Sequence, residues 1–160
     1  MKKQGYPNEN TFIFKDSSSF FSCMRDSVFI QHVFGALPFS PGRLLIRSVD
    51  TLRDSWPGLD LIPHLKRDTL YRTDTNYSLQ QLMHFLIPLT DSTSIDTANA
   101  DFIVVVPWAA FLGRYNDRLF SVREAIRQNR KVVIKPLFLC IDVQQTWEIA
   151  RNKNKVFEFE

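Results

Sequence analysis

The side chains of this chain that could do chemistry at neutral pH are few and scattered. Cys23 and Cys140 stand far apart, each in apolar surroundings (Phe20-Phe21-Ser22-Cys23-Met24 and Leu137-Phe138-Leu139-Cys140-Ile141), and neither belongs to a CxxC. Free cysteine behaves as a small hydrophobe, so both read as buried thiols. His32, His64 and His84 have no cysteine or second histidine at ligand spacing, which leaves no metal site and no cofactor to predict. No serine or cysteine stands in a recognisable nucleophile context. An enzyme of non-thiol chemistry would have to use Asp142, His84 and Tyr115, set in a cleft that shifts their pKa values. Asn76-Tyr77-Ser78 matches a glycosylation acceptor, which means something only on an exported chain.

The elements that must position these residues fall into two unlike parts. Thr11 to Phe14 reads as a short strand. Asp16 and Ser17 to Ser19 offer N-caps for a helix over about 18–34, on which Phe20, Phe21, Met24 and Val28 fall at helical spacing. Gly35 and Pro38 end it, and Arg43 to Val49 is a second strand after the Pro41-Gly42 turn. Residues 50–77 show no periodicity and read as loop with at most one short helix near Leu65 to Leu70. Asn76 or Ser78 caps a helix carrying Leu79, Leu82, Met83 and Leu86, and 90–100 (TDSTSIDTANA) is a polar linker.

Past the linker the pattern is regular. Residues 101–108 are apolar at nearly every position, as in a strand covered on both faces. Leu119, Val122, Ala125 and Ile126 line one side of a helix and Arg123, Arg127 and Arg130 another. A second apolar strand runs from Val132 to Ile141 around Pro136, whose missing N–H suits an edge or a bulge. A further helix (Val143, Thr146, Trp147, Ala150) and a terminal strand (Val156 to Phe159) complete the expectation. Two doubly covered strands joined by a helix must be parallel. The predicted fold class is therefore α/β in a single domain: an α+β region over 1–89, the linker, and a βαβα segment over 101–160.

With 160 residues, 44% of them hydrophobic and fourteen phenylalanines, the chain can bury a core without disulfides or metals. No apolar run is long enough to span a bilayer. The lysines of MKKQGYPNENTFIF lack the apolar stretch a signal peptide needs, so the expected location is the cytoplasm, or the bacterial envelope or periplasm if an export signal has been removed. In that second case a Cys23–Cys140 disulfide comes into play. The net charge of +3 falls wholly in residues 101–160, and the arginines of the predicted helix read as a solvated face. They lack the interleaved aromatics of a nucleic-acid surface.

The stretch Val104 to Tyr115, a buried strand followed by Trp108-Ala109-Ala110-Phe111-Leu112-Gly113-Arg114-Tyr115, resembles the active-site segment of thioredoxin-like proteins, strand-W-A-x-W-C-G-P-C-helix. The resemblance covers about residues 101–150. It implies a redox role for two thiols at a helix start, but those positions hold Leu112 and Tyr115, and the position of the buried carboxylate of some members holds Val106. What the resemblance implies is a redox-inactive domain acting as a binding or scaffold module for a protein or peptide. Phe111, Leu112, Gly113, Arg114, Tyr115 and Arg118 are the candidate surface, with free backbone N–H groups and two arginines suited to an anion or acidic peptide. Trp108 and Phe111 read as core rather than as ligand platforms, and Gly113 as a turn that needs positive φ. The alternatives are a basic protein for an acidic partner, or the non-thiol enzyme. The hairpin and helix that end the family's fold are missing after Ile141. The expectation is that the first 100 residues supply the rest of the sheet; a truncated chain or a second copy completing it is the other reading.

Overall fold

The computed structural model describes residues 10–47, 58–89 and 97–142. Among these residues, seven strands form one mixed sheet: β1 (Thr11–Phe14), β2 (Leu37–Phe39), β3 (Leu44–Ile46), β4 (Thr73–Ser78), β5 (Leu86–Pro88), β6 (Phe102–Trp108) and β7 (Ile134–Cys140), in the order β4-β3-β2-β6-β7-β1-β5. β6 and β7 pair in parallel from Phe102↔Ile134 to Trp108↔Cys140, and β1 adds a third parallel strand to β7. β2, β3 and β4 continue from β6 as antiparallel neighbours, and β5 closes the other edge antiparallel to β1. The amino-terminal residues thus supply strands on both flanks of the β6–β7 pair.

Both faces are covered. Along β6 the residues alternate: Ile103 and Val105 join Phe12, Phe14, Phe29, Leu37, Phe39 and Leu82 under the helices α1 (Ser17–Arg25), α2 (Ser27–His32) and α3 (Leu79–Met83). Phe102, Val104, Val106 and Trp108 join Leu119, Val122, Ala125 and Phe138 under α4 (Arg118–Gln128). This three-layer burial is why β6 and β7 read as continuous apolar runs. The sheet also curls. Ser78 of β4 and Leu86 of β5 lie on opposite edges, about 29 Å apart if seven strands were flat, yet the chain between them, five residues of it helical, reaches only about 18 Å. The edges therefore close toward each other around α1 and α2.

Several expectations change in detail. The helix over 18–34 is two helices, because Asp26 leaves helical geometry (ψ 119) and its Oδ1 accepts from Val28 N and Phe29 N, starting a second helix. Asp16 caps α1 through Ser19 N, and Ser78 caps α3 in a reciprocal capping box with Gln81. The aperiodic Thr73-Asp-Thr-Asn run is strand β4, where the Arg47–Asp74 pair at 2.6 Å covers the one carboxylate buried among the described residues. In place of a helix at 65–70 there is a 3-10 turn at Ile62–His64. Of the strand expected over 43–49, Leu44–Ile46 forms β3; residues 48 and 49, the helix and strand expected after Asp142, and 90–96 of the linker lie outside the described residues. Pro136 sits in a strand that is central by sheet order but an edge where it matters. Phe138 N donates to Asn10 O on the β1 side; Pro136, two residues earlier, turns its nitrogen the same way, below the first β1–β7 pair at Thr11↔Phe138.

Candidate functional site

The carboxyl ends of parallel strands are where open α/β sheets keep their ligands, and here those ends are tied together. Ile141 N donates to Trp108 O at 2.8 Å, extending the β6–β7 ladder. Asp142 Oδ2 accepts from Ala110 N at 2.8 Å and lies 3.4 Å from the Cys140 thiol. Asp142 thus acts as a clamp on the turn after β6. The Ala109 carbonyl then accepts from both Leu112 N (3.1 Å) and the buried amide of Asn116 (2.7 Å), while Asn116 Oδ1 is buried without a hydrogen-bond partner among the described residues.

The turn itself is a 3-10 segment, Ala110–Asp117, kinked at Gly113 with φ 51 and ψ −120, a combination open to glycine alone. That meets the expectation for Gly113. The expected helix start does not hold: α4 opens at Arg118, three residues beyond Tyr115, and the N–H groups of Ala110 and Leu112 are already engaged. Leu112 turns inward, half-buried against the cluster under α1 and α2, whereas Phe111 is 72% exposed and so is not core. Trp108 is core, at 7% exposure. The backbone carries Arg114 and Tyr115 in the 3-10 segment and Arg118 at the head of α4; their side chains lie outside the described residues. Arg123 and Arg127 are exposed as expected, Arg123 lying over the Phe138 ring at 5.4 Å.

No family model, curated protein or solved structure matches the chain. What the site can do therefore rests on its own side chains.

Neither thiol is equipped for exchange chemistry. Both cysteines are free and buried. Cys140 faces the α4 side of the sheet and Cys23 the α1 side, so the sheet separates them and the disulfide considered from sequence has no geometry here. Burial pushes the Cys140 thiol up to about 11, with the neighbouring Asp142 charge adding to it. Burial, helped by Asp26, pushes Cys23 up to about 12. Nucleophilic cysteines need the opposite shift. Among the described residues no cluster of three His, Cys, Asp or Glu could hold a metal, and no helix is long and apolar enough to cross a membrane.

Of the residues nominated for non-thiol chemistry, Asp142 is held on Ala110 and His84 lies beyond α3, where its carbonyl accepts from Lys15 Nζ. Sequence reasoning missed a different group: Cys23, Asp26, Tyr77 and His84 line one cleft between α1, β4 and α3. Its members come from three elements spread over sixty residues, and no local spacing could have announced it.

Proposed function

We propose that this chain is a redox-inactive, thioredoxin-like domain serving as a binding or scaffold module, which meets a protein or peptide partner at the turn that follows β6. The observation that carries the reading is the fate of the first position where the resemblance expects a thiol: Leu112 packs half-buried against the core, and the chain's own thiols are buried on opposite faces of the sheet. The parallel β6–α4–β7 unit and a hairpin, β2–β3, laid antiparallel against β6 support the resemblance; the hairpin is contributed from the amino-terminal side.

What remains at the turn is a contact surface. Phe111 presents an aromatic side chain to solvent, and none of the described residues beyond its chain neighbours comes within 4 Å of the space beside Gly113. Exposed aromatics of this kind anchor protein interfaces. The test has two arms. With dithiothreitol and insulin, the chain gives no turnover above the dithiothreitol blank; thiol-dependent turnover lost on Cys140→Ser overturns redox inactivity. Peptides selected from a random library against the chain lose binding to Phe111→Asp; a selection whose binders ignore that substitution removes the turn as the contact surface.

A further inference from the structure

The cleft that Ser22 and Cys23 of α1 and Asp26, between α1 and α2, form with Asn76 and Tyr77 of β4 and with Gln81, Leu82, His84 and Phe85 has a volume of about 320 Å³, inside the range of small-molecule sites. It exists because the sheet curls: β4 is brought across to the α3–β5 side, leaving a gap that none of the described side chains fills. Several of its polar groups keep hydrogen-bonding capacity that the fold does not use. Tyr77 is only 9% exposed, its ring is stacked on Phe39 at 6.4 Å, and its hydroxyl has no hydrogen-bond partner among the described residues. The Cys23 thiol and the exposed His84 imidazole likewise have no hydrogen-bond partner among the described residues. Asp26 gives Oδ1 to both cap bonds and leaves Oδ2 outside them. The Tyr77 hydroxyl is thus left to hydrogen-bond to whatever occupies the cleft.

The charge of the lining narrows the occupant. Asp26 contributes a carboxylate, no lysine or arginine among the described residues lines the cleft, and Lys15 is held on the His84 carbonyl, outside the lining. Burial raises the Tyr77 hydroxyl well above its ordinary range, with Cys23 and Asp26 adding to the shift, so the phenol stays neutral and able to donate or accept. Leu82 and Phe85 form the apolar wall. We infer that the cleft is a binding site for a small organic amine with a compact apolar or aromatic body. The ammonium meets Asp26 Oδ2, a polar atom of the ligand meets the Tyr77 hydroxyl, and the body rests on Leu82 and Phe85. The site is separate from the turn after β6 and does not depend on the function proposed for it.

Three probes of one size decide the matter: 2-phenylethylamine, phenylacetate and 2-phenylethanol, titrated into the full chain and followed by amide chemical shifts. The expected result is saturable shifts at Asn76, Tyr77, Leu82 and His84 with the amine, at least tenfold tighter than with the acid or the alcohol. Asp26→Asn keeps the helix cap, since asparagine caps as well as aspartate, and brings the amine down to the affinity of the alcohol. Tyr77→Phe weakens it severalfold. Absence of saturation at millimolar amine, equal binding of amine and acid, or an Asp26→Asn chain with native spectrum and unchanged affinity each overturns the inference. Should Asp26→Asn fail to fold, the amine–acid comparison on the unsubstituted chain and the Tyr77→Phe titration still decide it.

Discussion

Raising the pH is the perturbation that probes the two thiols most directly. Burial holds Cys140 near 11 and Cys23 near 12, against about 8.5 in an unfolded chain. At pH 8 an ordinary thiol is about one quarter thiolate, while these two are ionised to about one part in a thousand and one in ten thousand. Ellman's reagent at pH 8 should therefore find no fast-reacting equivalent in the native protein and two in urea. Stability follows with a fixed sign. Both folded-state values lie above the unfolded value, so the contribution is complete below about pH 8 and is lost as pH rises toward 11. Across pH 9 to 10 the loss is roughly 2–3 kcal/mol for the pair, or about 1 M in a urea midpoint at an m-value near 2 kcal/mol/M. Urea unfolding at pH 7.5, 9 and 10, run beside Cys23→Ala/Cys140→Ala, isolates this slope from that of lysines and tyrosines. One native equivalent reacting at the unfolded rate, or superimposable slopes for the two chains, would refute the reasoning and reopen a redox role.

Two further sites test the frame. Gly58 (φ 78) would place a Cβ 2.2 Å from the Ala36 carbonyl oxygen, whereas Gly113 has open space but a ψ of −120. Gly113→Ala should cost about 1–3 kcal/mol from backbone strain alone and Gly58→Ala more, because backbone must move; a milder effect at Gly58 in urea unfolding contradicts that ranking. Asn129, 7% exposed, donates to Ile62 O and Leu65 O and accepts from Lys131 N, locking the 3-10 turn to the end of α4. Asn129→Ala should cost about 3 kcal/mol. Asn129→Asp should be worse at pH 7, since it sets a carboxylate against two carbonyl oxygens, and should recover in acid; an aspartate variant as stable as the alanine one at pH 7 removes the hydrogen-bond explanation.

Where the sequence was legible, one physical signal dominated. β6 and β7 are buried on both faces, so their apolar runs could be nothing but covered strands, and α4 shows Leu119, Val122 and Ala125 on the face that the sheet buries. β4 was illegible because Thr73 to Ser78 is a strand by pairing rather than by hydrophobicity: only Asp74 and Tyr77 of the six are buried. The break at Asp26 was written in the Asp26-Ser27 pair, but the phenylalanine and methionine periodicity on either side masked it. At the candidate surface, Gly113 announced its positive φ, whereas the inward turn of Leu112 and the outward turn of Phe111 belong to a turn anchored by the Asp142–Ala110 bond, made across thirty-two residues. The amine cleft depends on the curl of the whole sheet.

The strand order has a consequence for how the chain is made. β1 and β2 are synthesised first, yet in the finished sheet they are separated by β6 and β7, the last described strands to appear. Until residue 140 has left the ribosome, β2–β3–β4 and β1–β5 are two small sheets, each offering an unpaired edge that other chains could join. The β6–β7 pair is the keystone that closes both at once. The segment carrying the family resemblance is therefore also the one that decides whether the newly made protein completes its own sheet or aggregates.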